Sequence, residues 1–155
     1  MEKLKLLLEQ LRIGKPKVRL SGLGPSGKAF ILATLCYEAQ KSVLLLTTHL
    51  EQAEQLVTDL ELFLRIQGCK FPVSLFPPLE VPTAWSVSLQ RELTGQRMKA
   101  LFTVLEEKHS ILVVPLIAAL QPVPPPGWLR QSALQLRKGE TIDREELMAR
   151  LVSLG

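Results

Sequence analysis

Apolar positions along the chain switch repeatedly between a helical and an extended rhythm. Leu4, Leu7, Leu8 and Leu11 recur at helical spacing and predict a first amphipathic helix to about Arg12, stopped by Gly14 and Pro16. Val18 and Leu20 read as a short strand leading into the turn-rich residues 21–27, and residues 28–40 read as a buried helix with little polar face. Val43-Leu44-Leu45-Leu46 is a solid apolar block, the pattern of a central parallel strand covered on both faces. Thr48-His49-Leu50-Glu51 fits a capping box that opens a helix with Leu50, Ala53, Val57, Leu60 and Leu64 on one face and Gly68 at its end. Val73-Ser74-Leu75-Phe76 predicts a further strand closed by Pro77 and Pro78, followed by a loop over residues 77–88. A long helix carries Leu89, Leu93, Arg97, Ala100, Leu101, Val104 and Leu105 on one side. Ile111-Leu112-Val113-Val114 is then a strand ended by Pro115, with a helical turn over residues 116–120.

Four apolar strands alternating with helices predict an α/β domain over residues 1–121, a parallel sheet with flanking helices. Pro122, Pro124, Pro125 and Pro126 interrupt both rhythms, so residues 122–126 are expected to be a linker. Beyond it come a possible strand near residues 133–136, a turn at Lys138-Gly139, and a last helix. Asp143 and Glu146 cap that helix, with Ile142 and Leu147 at hydrophobic-staple spacing. Residues 127–155 are too few to fold alone, so they are expected to begin a second domain inside which the chain stops.

Composition narrows the picture only slightly. The chain of 155 residues is 46% hydrophobic and 22% charged, which excludes wholesale disorder. No apolar run approaches the ~18–20 residues of a membrane span, and the start is not that of a signal peptide. Cys36 and Cys69 are too few for a disulfide scaffold, so a reduced, cytoplasmic protein without membrane contact is expected. The net charge of +4 comes wholly from residues 1–20, where Lys3, Lys5, Arg12, Lys15, Lys17 and Arg19 face only Glu2 and Glu9. That stretch reads as a solvated helix face or, alternatively, a contact with DNA or phosphate.

One motif carries chemistry. Gly22-Leu23-Gly24-Pro25-Ser26-Gly27-Lys28-Ala29 matches the phosphate-loop pattern G-x-x-x-x-G-K-[ST] at all but its last position. Such a loop cradles phosphates with backbone N–H groups at a helix start and a Lys, and its final hydroxyl ligates Mg²⁺. Ala29 has no hydroxyl, Pro25 removes one backbone donor, and the strands end at Thr47, Pro77 and Pro115 without an acid for the metal. Gly22, Gly24, Gly27 and Lys28 are therefore candidate residues of a vestigial phosphate loop, with no catalytic residue, no metal ligand and no cofactor expected. His49 and His109 read as capping or surface residues, and Cys36 and Cys69 as buried thiols. Arg97, on the apolar face of its helix, must snorkel, pair with an acid such as Glu80, or reach a partner molecule.

The order of parts resembles a known family. After the loop come residues 43–47, the helix Ala53-x-x-Leu56-x-x-Asp59-Leu60-x-x-Phe63, the segment Phe76-Pro77-x-x-Glu80-x-Pro82, and Arg97-x-x-x-Leu101. Residues 111–115 and the tail Lys138-Gly139-Glu140-x-Ile142-Asp143-x-x-x-Leu147-x-x-x-Leu151 complete the series. Over residues 15–155 this resembles the N-terminal module of the bacterial transcription-repair coupling factors, itself similar to UvrB. Lys28-Ala29 stands where UvrB has Lys-Thr, and Leu79 and Thr83 stand where coupling factors usually carry an aromatic and a Tyr. The resemblance implies a phosphate-loop-like, RecA-like domain that serves as a non-catalytic docking and regulatory module in transcription-coupled nucleotide excision repair. The whole protein would use ATP and Mg²⁺ in a downstream DNA translocase, displace stalled RNA polymerase from DNA, and recruit UvrA through the second domain, mostly beyond Gly155. The alternative it leaves open is a nucleotide-binding domain of a UvrB-like or helicase-like repair enzyme.

Overall fold

The computed structural model describes residues 6, 7, 9, 10, 13, 17–79, 87–133, 138, 139 and 141–154. They fall into two compact units, Met1–Pro122 and Val123–Gly155. In the first unit, Leu6, Leu7, Glu9 and Gln10 are helical, and the helical bond from Ile13 N–H to Glu9 C=O is 3.0 Å. The elements that follow are α1 (Pro25–Ala39), β1 (Val43–Thr47), α2 (Leu50–Ile66), β2 (Val73–Leu75), α3 (Val87–Glu106), β3 (Ile111–Pro115) and the short α4 (Leu116–Ala119).

The three strands form a parallel sheet in the order β1-β3-β2. Val43 pairs with Ile111 and Thr47 with Pro115 on one side, and Val73 with Ile111 on the other. The chain steps over the position of β3 on its way to β2 and then steps back. Right-handed crossovers in opposite directions put their helices on opposite faces, and the two cores follow that rule. Ile111 and Val113 face α1 and α2, packed with Ala29, Ala33, Cys36, Ala53, Leu60 and Leu64. On the other face Val114 packs with Phe76, Ala100 and Ala118, and Leu112 and Leu101 lie against them.

Residues 43–46 are read from the sequence as a central strand, whereas the central strand is β3 and β1 is an edge. Val43 and Leu45 join the α1–α2 core, but α3 covers β3 and β2 without covering β1. Leu44 and Leu46 are accordingly 61% and 59% exposed. The fourth strand expected at Val18 and Leu20 is absent among the described residues: residues 17–21 are irregular and Leu20 is 49% exposed. Because α1 shares a face with α2, the crossover rule would place a strand ahead of α1 on the outer side of β1. With Lys17 and Arg19 alternating with Val18 and Leu20, that segment has little apolar surface to gain there.

Helix boundaries differ from the sequence reading where backbone chemistry decides them. Helix α1 begins three residues early because Pro25 at its first position has no N–H to lose and a preset φ. Its buried stripe is small (Ala29, Ala33, Cys36), while Phe30 and Tyr37 are exposed, so it is buried on one face only. Phe30 meets the Phe63 ring edge-on at 5.5 Å. The capping box expected at Thr48 does not form: His49 is the N-cap without a side-chain bond, and the Thr48 hydroxyl donates to Gln52 Oε1 at 2.8 Å. At the other end Gly68 takes φ +70°, Cys69 N–H donates to Leu64 C=O at 2.8 Å and Gly68 N–H to Arg65 C=O at 3.1 Å. This is a Schellman closure of α2.

The second unit contains α5 (Pro126–Ser132) and α6 (Arg144–Leu154). Helix α5 has no counterpart in the sequence reading, which treats its proline as a breaker. Pro126 instead occupies the helix start, where proline is favoured. Gly139 turns the chain at φ +96°, and the strand expected near residues 133–136 falls mostly outside the described residues. Asp143 caps α6 as read from the sequence: its Oδ1 accepts the Glu145 and Glu146 N–H groups at 2.7 and 3.0 Å. No described helix is long and apolar enough to cross a membrane.

Candidate functional site

The glycine-rich loop lies between the irregular residues 17–21 and α1, at the carboxyl end of the sheet, where α/β folds bind ligands. Gly22 has φ +76°, a conformation that favours glycine, and Gly24 is the extended N-cap of α1. Lys28 N–H already donates to Gly24 C=O at 3.0 Å, so Ser26, Gly27 and Lys28 belong to the first turns of the helix. Pro25 has no N–H, and the N-cap residue has no side chain with which to close the free donors. The N–H groups of Ser26 and Gly27 thus stand ahead of the helical ladder, at the positive end of the helix dipole.

Nothing crowds this loop. A Cβ added at Gly22 or Gly24 would meet no atom within 4 Å, and one at Gly27 would reach only the Leu23 side chain at 4.0 Å. Lys28 lines two openings. One, of about 430 Å³, is bounded by Leu20, Gly22, Leu23 and Ile31. The other, of about 680 Å³, runs between α1 and α2 past Thr47 and Thr48 to Glu51, Gln55 and Asp59. In that larger groove Lys28 is outnumbered by two carboxylates, and Gln55 Nε2 donates to Asp59 Oδ1 at 2.9 Å. A negatively charged ligand would meet one ammonium and two acids there. No three described His, Cys, Asp or Glu residues are grouped to hold a metal.

Ala29 does more than lack a hydroxyl. It is fully buried in the α1–α2 core with Ala33, Cys36 and Ala53. The position at which the motif needs a metal-ligating oxygen is therefore turned into packed apolar surface. Cys36, on the same stripe, is also buried, and burial, reinforced by the neighbouring Cys69 thiol, pushes its pKa from 9.0 to about 11. Both cysteines are free thiols. His49 is exposed at the start of α2, and His109 lies beside the Phe71 ring at 5.5 Å.

Arg97 is a buried charged group held by several partners. It is 2% exposed, and its guanidinium carbon sits 3.8 Å over the centre of the Phe76 ring. Nη1 donates to Pro77 C=O and to Gln121 Oε1, both at 2.9 Å, and Nη2 donates to Pro122 C=O at 3.3 Å. Burial lowers its pKa below the ordinary guanidinium value. Its described acceptors are neutral carbonyls; Glu80, the mate suggested by the sequence, lies outside the described residues. Gln121 is the residue that sequence reasoning missed. Its side-chain amide also accepts from Leu79 N–H at 2.8 Å and donates to Leu79 C=O at 2.9 Å. A lone Gln before a proline gives no sign of this, because its partners are main-chain atoms 42 residues away.

Comparison with known proteins gives two sets of relatives. The chain is 29% identical over 143 residues to a transcription-repair-coupling factor of Staphylococcus haemolyticus, a match covering 92% of this chain and 12% of that protein. It is 31% identical over 160 residues to the UvrABC system protein B of Vibrio parahaemolyticus, covering 97% of this chain and 24% of that protein. The Staphylococcus aureus coupling factor matches at 27% over the same 92% of the chain. The chain thus spans about an eighth to a quarter of the length of these relatives. No family model matches it, and no solved structure does.

Proposed function

From a chain that is a UvrB-like module, related over nearly its whole length to the transcription-repair coupling factors and to UvrB, we propose a non-catalytic docking and regulatory role within a coupling factor. On this reading residues 1–121 are a degenerate phosphate-loop domain of RecA-like type, residues 122–126 a linker, and residues 127–155 the start of a domain that contacts UvrA. The longer bacterial, cytoplasmic protein acts in transcription-coupled DNA repair. Its ATP- and Mg²⁺-dependent motor and its contacts with RNA polymerase and DNA lie outside this module.

The observation that supports the non-catalytic part is the burial of Ala29 in the α1–α2 core. Phosphoryl transfer depends on a metal placed between the phosphates and a protein hydroxyl or acid. Here the hydroxyl position is packed away and the strand ends supply no acid. The alternative, a nucleotide-binding domain as in UvrB, draws on the retained Gly22, Gly27 and Lys28 and on the 31% identity to UvrB. UvrA retention tests the docking role, and MgATP binding separates it from the alternative. The present chain should hold UvrA weakly in a pull-down, and a version extended by about 60 residues, enough to complete a small domain, should hold it well. Equal retention by both would move the contact into residues 1–155, and no retention by either would remove the docking role.

A further inference from the structure

Two stretches of chain that leave the sheet at its carboxyl end are held by one small cluster. The first is the strap of residues 76–79, which follows β2; Phe76 N–H donates to Val113 C=O at 2.9 Å and the Phe76 side chain is buried in the second core. The second is Gln121 and Pro122, where the first unit ends after α4. Between them the hydrogen bonds close a ring. Gln121 grips both peptide groups of Leu79, Arg97 grips the Gln121 oxygen and Pro77 C=O, and Arg97 Nη2 reaches Pro122 C=O.

We propose that Arg97 and Gln121 form a latch that makes the strap and the exit of the first unit a single mechanical element, so that neither is released without the other. The chemistry enforces the coupling from both sides. Pulling Leu79 away strips the Gln121 amide of two partners and leaves the Gln121 oxygen to hold Arg97 alone. Moving Pro122 away takes an acceptor from a guanidinium that is shut off from water, and an unmatched buried donor is costly. A ligand that engages the strap, where Leu79 is 37% exposed, would therefore act on the point at which the chain enters the second unit.

Amide hydrogen exchange followed by NMR on the full chain tests this. The informative variant is Arg97→Lys, because Arg97 makes no bond to Leu79 itself. A lysine keeps the charge but cannot span three carbonyls. The latch predicts that Arg97→Lys speeds exchange of the Leu79 N–H by about tenfold or more and speeds the Gln121 amide, bonded to Ala118 C=O, with it, while β1 and α2 keep their protection. Gln121→Ala, at a half-buried position, should loosen the same two stretches. Unchanged Leu79 protection in Arg97→Lys would show independent anchors and overturn the latch. Uniform acceleration across the unit in both variants would show only lost global stability and overturn it equally.

Discussion

The glycine loop and the Arg97 cluster are opposites. The loop carries the one motif visible in the sequence, and its surroundings are unbuilt: glycines without close neighbours, a helix that starts at Pro25, and a core where a metal-ligating hydroxyl would stand. The Arg97 cluster carries no motif, yet its guanidinium is buried, stacked on Phe76 and bonded to three acceptors. A pattern of residue types records what a site could bind. Only the packing around it records what the fold maintains.

The contrast breaks down if Arg97 proves dispensable, and that is the largest effect expected. Arg97→Met removes the guanidinium donors and leaves Pro77 C=O, Pro122 C=O and the Gln121 oxygen without them, so urea unfolding should show a loss of about 3 kcal/mol. A loss near zero would make the cluster incidental. Next comes Ala29→Thr. If the motif position still belonged to a working loop, the hydroxyl would be accommodated. Packed as it is, the larger side chain should cost about 2 kcal/mol in the same assay and bring no affinity for MgATP.

Cys36 reports on the same stripe of α1. Its folded pKa of about 11 lies above the ordinary 9.0, so the native state holds this proton more tightly than the unfolded chain does. Its contribution is thus complete below pH 9 and is lost as pH rises toward 11. Stability measured against pH should decline through that window, and Cys36→Ala should remove that part of the decline. The smallest effects separate the glycines of the loop. Gly22→Ala, at φ +76°, should cost about 1 kcal/mol, whereas Gly24→Ala, at φ −69° with open space around it, should cost less than about 0.5 kcal/mol.

Much of the fold was legible because hydrophobic rhythm reports burial. The residues of β3, the face of α2 and the Gly68 stop all follow from spacing. Rhythm does not report neighbours, however. Leu44 and Leu46 look like the filling of a central strand, but only the strand order reveals that α3 does not reach them. Pro126 reads as a break in the chain and Pro25 as part of a turn, yet each begins a helix because a first-turn residue needs no N–H. In the loop the residue types were legible and the direction of Ala29 was not, since that depends on where α1 begins. The partners of Arg97 were hidden for a simpler reason. Two of the described acceptors are main-chain carbonyls, which belong to every residue and leave no mark in the sequence.

The proposed reading is that the glycine loop keeps the pattern of a nucleotide site without its function. Isothermal titration of the chain with MgATP tests it most directly. The claim predicts no saturable binding tighter than about 1 mM, an interaction of roughly −4 kcal/mol, and the same result for Ala29→Thr. One-to-one binding at micromolar concentration by the unmodified chain, abolished by Lys28→Ala, would contradict it.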